Sequence, residues 1–125
     1  IIGEKVNLHN SANIMKPCHF GDNVSVGENS VIGPFTSLGN NVQIGKGCRI
    51  TSSIIFSGAI IGDYTSISNA IIGENTIIDK WVKIESGSLI GDYTMIEEGV
   101  TITEGVSICP SKNVRESILI PSQVM

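Results

Sequence analysis

Aromatic side chains are scarce: Phe, Tyr and Trp make up 5% of the 125 residues. A core of packed rings is therefore excluded, and aliphatic side chains must carry the burial. Charge is also sparse, at 16% of the chain, which argues against surface helices with charged outer faces. No apolar run approaches the ~18 residues of a membrane-spanning helix. Eight scattered Lys and Arg residues and a formal charge of −4 do not make a nucleic-acid surface. No signal peptide is evident. The three cysteines, Cys18, Cys48 and Cys109, show neither a disulfide framework nor metal-ligand spacing. A reducing cytoplasm is the expected compartment.

A period of six is what the sequence does have. Stepping by six from Ile2 gives Leu8, Ile14, Phe20, Val26, Ile32, Leu38, Ile44 and Ile50. One five-residue step leads to Ile55, Ile61 and Ile67, and a second to Ile72. Strict sixes then run through Ile78, Ile84, Ile90, Ile96, Ile102, Ile108, Val114 and Ile120. Neither a 3.6-residue helical period nor simple strand alternation confines aliphatics to every sixth place. Glycine often follows the aliphatic, as at Gly21, Gly27, Gly45 and Gly62, and Asn or Gly often comes two places later, as at Asn23, Asn41 and Gly47. Both tolerate positive φ, which a sharp corner demands. The next place is usually small or β-branched, as at Val24, Ser30, Thr65 and Val100.

Each hexad therefore reads as one short strand and one corner, and three hexads as one triangular coil. The predicted fold is an all-β, single-stranded parallel β-helix of about seven coils filling residues 1–125 as one domain. The two short steps then fall on the same side of adjacent coils, which supports the three-sided count. The repeat is in register from Ile2 with no evident cap, so the expectation is a C-terminal part of a longer chain, with another domain upstream. Pro110 and Pro121, with Lys112 and Arg115, read as the point where ladder pairing stops.

The residue before each interior aliphatic should point outward. Most such residues are polar, but Ile54, Ile71 and Leu89 form one apolar column, and Ile60, Ile77 and Met95 a second. The columns flank one corner, to which Phe56 and Tyr93 belong. These eight residues are the candidate interface, because a contiguous apolar patch on a soluble surface usually marks one. The alternative is the general preference of strands for β-branched residues. Tyr64 and Trp81, one coil apart in a different column, either extend that surface or fill corners.

No catalytic constellation is legible. A β-helical acyltransferase needs a histidine base, usually beside an extruded loop. His9 falls on a corner, His19 points outward, and no insertion interrupts the repeat. Two histidines are too few for a three-imidazole zinc site. Cys18 and Cys48 take the small inward place and read as core. Lys112 and Arg115 form too small a basic group for a phosphate site, and no glycine-rich loop leads into a helix.

ITSSII at 50–55 and ISNAIIGENTIID at 67–79, with IEEGVTITEGVSICPSKNV at 96–114, resemble the C-terminal β-helix of sugar-1-phosphate nucleotidyltransferases of the mannose-1-phosphate guanylyltransferase and glucose-1-phosphate thymidylyltransferase type. The resemblance implies left-handed coils. It implies a transferase of nucleotide-sugar biosynthesis whose upstream catalytic domain binds a nucleoside triphosphate with Mg, while this stretch holds no catalytic, cofactor or metal site. It implies packing against that domain and homo-oligomer assembly as the role of this stretch. The alternatives are a hexapeptide-class acetyltransferase using acetyl-coenzyme A, alone or in a bifunctional chain, and a scaffold subunit.

Overall fold

A computed structural model describes residues 3–115 and the strand Gln123–Val124. Among the described residues all regular structure is strand, nineteen short strands between Asn7 and Val114 followed by Gln123–Val124. Up to Asn113–Val114 every third strand joins the same parallel sheet, so three sheets close a triangular tube. Side 1 stacks Asn7–Leu8, Ser25–Val26, Gln43–Ile44, Ile60–Ile61, Ile77–Ile78, Met95–Ile96 and Asn113–Val114. Side 2 runs from Asn13–Ile14 to Thr101–Ile102, and side 3 from Cys18–Phe20 to Gln123–Val124.

The six-residue rule is visible strand by strand. In each two-residue strand the second side chain turns inward and the first outward, because successive Cβ atoms alternate across a strand. Ile32, Ile50, Ile67, Ile84 and Ile102 thus stack one above another on side 2, all essentially without solvent contact. Each buried aliphatic contributes roughly 1.5–3 kcal/mol by transfer from water. Leu8 and Ile14 in the first coil are only half-buried, since coils cover them from one side.

The small inward place is closed by hydroxyls as well as by valines. Ser30 Oγ donates to the Gly45 carbonyl at 2.7 Å and accepts the Cys48 N–H at 3.1 Å. Thr65 Oγ1 donates to the Asp79 carbonyl at 3.0 Å. No buried side-chain nitrogen or oxygen among the described residues lacks a partner, as a stable interior requires.

Corners follow the expected chemistry. Asn23, Asn29, Asn41 and Asn75 turn with φ of 54–60°. The glycine after the inward aliphatic has a different cause: a Cβ on Gly62 would lie 2.6 Å from the Asp79 carbonyl carbon in the next coil. The coils approach too closely there for any side chain.

Three features differ from the sequence reading. The described strands complete about six turns rather than seven, with seven strands on sides 1 and 3 and six on side 2. Ile120 and Pro121 lie outside the described residues. Pro110 does not end the ladder: Asn113–Val114 still pairs with Met95–Ile96, and Gln123–Val124 with Ser107–Ile108. The proline sits in a corner, where no ladder N–H is needed. The left-handed turn conformation is also not confined to Asn and Gly. Phe35, Tyr64, Trp81 and Tyr93 adopt φ of 58–60°, which costs a residue with a Cβ roughly 1–2 kcal/mol.

The two five-residue steps lie at the same corner, between sides 2 and 3. There Arg49–Thr51 and Ser66–Ser68 run one residue further and pair along their whole length, and Ser52 and Asn69 make the turn with φ of 49° and 46°. Ser52 and Asn69 also border one of the surface hollows described next.

Candidate interaction surface

Parallel register brings the candidate residues together. On side 3, Ile54 pairs with Ile71 and Ile71 with Leu89. On side 1, Ile60 pairs with Ile77 and Ile77 with Met95. Each of the six retains 38–46% of its accessible surface, far above the 0–2% of the aliphatics beside them in the same strands. Phe56 and Tyr93, 45% and 63% exposed, stand on the corner between the two sides. Ser37 and Ser107 close the side-3 column, and Gln43 and Asn113 the side-1 column. The patch is therefore bounded at both ends.

Its relief is not flat. Ile71 and Leu89 form a ridge on side 3 with a hollow on each flank. A hollow of about 370 Å³ lies toward the side 3–side 1 corner, walled by Phe56, Gly73, Gly91 and Pro110. Another of about 460 Å³ lies toward the shortened corners, walled by Ser52, Asn69, Ala70 and Gly87. A third, also about 460 Å³, opens at the N-terminal end of side 3 between Pro17, His19, Phe35 and Ile54. All three hollows line side 3.

The sequence could place the eight interface candidates but not these hollows. The five-residue steps were the available signal, since Ser52 and Asn69, the turn residues of the two shortened corners, wall the second hollow. Tyr64 and Trp81 do stack, with ring centroids 4.7 Å apart and planes 19° from parallel. Both are exposed on the side 1–side 2 corner, away from the aliphatic columns.

Groups with potential chemistry are engaged or dispersed. His9 Nδ1 accepts the Ser11 N–H at 3.1 Å and lies 2.8 Å from Ser11 Oγ. Its Nε2 is 3.9 Å from a Glu28 carboxylate oxygen. This resembles a nucleophile, a base and an orienting acid, but Ser11 Oγ also accepts the Asn29 N–H at 2.9 Å and thereby closes the coil above. Asp22, Asn40 and Asp92 accept backbone N–H groups across coils in the same way. The cluster is a corner cap. His19 lies on another side of the tube. Burial pushes the Cys48 thiol above its ordinary value, and does the same to Cys18. None of the three cysteines is disulfide-bonded. Arg115 pairs with Glu97 at 3.2 Å. Among the described residues no three His, Cys, Asp or Glu side chains converge as a metal site, and no helix is long and apolar enough to cross a membrane.

Comparison with known proteins places this surface in context. A family model described as the GMPPB C-terminal domain matches residues 14–124. The chain is 30% identical over 104 residues to a probable mannose-1-phosphate guanylyltransferase 3 of Oryza sativa subsp. japonica, covering 83% of this chain and 28% of that protein. Mannose-1-phosphate guanylyltransferase 1 of Arabidopsis thaliana is also 30% identical, over 113 residues that cover 86% of this chain and 31% of the relative. Among solved structures, a hexapeptide transferase family protein from Anaplasma phagocytophilum superimposes with a TM-score of 0.88 at 20% identity, over 98% of this chain and 78% of that one. That likeness is one of fold. The chain spans less than a third of the length of these guanylyltransferases.

Proposed function

Because the chain belongs to the GMPPB C-terminal domain family, we propose that it serves a mannose-1-phosphate guanylyltransferase-like protein as its assembly module. An upstream catalytic domain carries out nucleotidyl transfer to a sugar 1-phosphate, using a nucleoside triphosphate and Mg²⁺. The β-helix packs against that domain and joins copies of the protein into an oligomer. The protein works in the cytoplasm, where its three cysteines stay as thiols.

The observation that carries this reading is the extent of the family match, which runs over residues 14–124. The surface agrees with it. An aliphatic column on each side of one corner is what a packing surface needs, and the polar groups nearby are spent on closing coils. The acetyltransferase alternative lacks such local support, because His9 is held by Ser11 and stands apart from His19.

The test compares the full-length protein with the 125-residue chain. The full-length protein is expected to transfer a nucleotidyl group to mannose 1-phosphate, and the chain alone to show neither nucleotidyl nor acetyl transfer. Acetyl transfer from acetyl-coenzyme A by the chain alone, lost in His9→Ala, would establish the alternative instead.

A further inference from the structure

The side 1–side 2 corner carries a feature that the assembly role does not use. Its turn residues Asn29, Gly47, Tyr64, Trp81 and Gly99 all stand at φ of 57–77°. Asparagine and glycine take that conformation readily, whereas a tyrosine or tryptophan is strained by it. A strained residue that nonetheless persists is a reason to look for a ligand contact.

The two rings lean toward the preceding coil. A Cβ on Gly47 would stand 2.5 Å from Tyr64 Cδ1, so the Tyr64 ring lies over that glycine. Lys46 Nζ stands over the same ring, 6.0 Å from its centre. Trp81 in turn stacks on Tyr64, with centroids 4.7 Å apart. The stack stops there. Apart from its chain neighbours, no described atom lies within 4 Å of the place a Cβ on Gly99 would take. The indole face turned away from Tyr64 is therefore open, and Trp81 is 59% exposed. Coils about 4.8 Å apart give the level of Gly99 the height of one more ring.

We infer that this open indole face binds the ring of an uncharged sugar, a hexopyranoside that lays its C–H face on Trp81. Such a ring is apolar on its face and carries hydroxyls around its edge, and the protein offers both kinds of contact. Lys80 precedes Trp81 and Glu98 precedes Gly99, so their side chains border the same level. Lys80 Nζ and Glu98 Oε1 are 3.9 Å apart, and both side chains are about half exposed. So loose a pair leaves donors on the lysine and acceptors on the carboxylate for ligand hydroxyls. In the same coil Lys83 lies 3.6 Å from Glu85. Both lysines of that coil thus face a carboxylate, which suits a neutral ligand better than a phosphate. A planar base could also stack on the indole, and the test separates the two. The site stands on a different corner from Phe56 and Tyr93 and does not depend on the assembly role.

Trp81 is the only tryptophan of the chain, so its fluorescence reports the site directly. Methyl β-glucopyranoside and methyl α-mannopyranoside are titrated against the 125-residue chain, with sorbitol as an acyclic control and adenosine as a planar one. At least one glycoside is expected to change the emission saturably in the millimolar range, and sorbitol to leave it unchanged. Gly99→Asn, a residue the same column accepts at Asn29, puts a side chain into the open level. It should abolish the response while the β-sheet circular dichroism stays unchanged. Glu98→Ala removes a hydroxyl acceptor and should weaken glycoside binding several-fold, which provides the second variant should Gly99→Asn fail to fold. No saturable response to either glycoside, an equal response to sorbitol, or a response unaltered in the folded variants overturns the site. Saturation by adenosine alone overturns the sugar as its ligand.

Discussion

The middle coils, bearing Ile54 to Met95, and the coils on either side of them share an interior and differ in their exterior. Both regions stack aliphatics inside, with Ile32 and Ile102 buried as completely as Ile67. Both use the same parallel ladder. Outside, Ser25, Ser37, Ser107 and Asn113 surround coils whose neighbours carry isoleucine, leucine and methionine. Since the fold is the same in both regions, the outer residue of each strand is free of it. That freedom is what lets one surface specialise.

Substitutions can break the shared half of the comparison or sharpen the other half. The largest effect is expected inside. Ile67→Ala removes a fully buried side chain and should destabilise the chain by about 2–5 kcal/mol, read from its urea midpoint. Gly62→Ala places a methyl 2.6 Å from the Asp79 carbonyl carbon, and should cost about 1–3 kcal/mol in the same assay. Ser30→Ala strips the Cys48 N–H of its side-chain acceptor and should cost about 1–3 kcal/mol.

The outer face should behave oppositely. Tyr93 sits at φ 59° and is 63% exposed. Tyr93→Asn should leave monomer stability unchanged or raise it by up to about 1 kcal/mol, because asparagine tolerates the left-handed turn. The smallest effect is a pH dependence. Burial raises the Cys48 thiol above its ordinary value of 9.0, so the unfolded chain ionises first as pH rises. Stability is full below that pH and falls above it. Cys48→Ala should flatten the alkaline limb of a stability profile, and an unchanged limb would remove this cysteine as its source.

Much of the fold was legible because the period is so rigid. Every sixth residue from Ile14 to Val114 lies where the spacing put it, and both short steps fall at one corner. The outward exposure of the eight interface candidates was legible for the same reason, since knowing which side chain points in also tells which points out. Depth was not legible. The hollows beside Ile71 depend on how the corners on either flank, at Ser52 and Asn69 and at Phe56 and Pro110, stand relative to the strand, and a period carries no such distance. The left-handed aromatics were missed because composition suggests glycine and asparagine at corners, whereas a solvent-facing turn can bear Tyr64 or Trp81 when another ring supports it. Pro110 was misread for a related reason: proline excludes a ladder position but suits a corner.

Ile71 and Ile72 test this most directly, being adjacent in one strand and facing opposite ways, one 40% exposed and the other fully buried. Far-UV circular dichroism of Ile71→Asp and Ile72→Asp compares them. The β-sheet spectrum should survive in the first and collapse in the second. Equal loss in both, or survival in both, would contradict a tube whose strands turn one side chain inward and its neighbour outward.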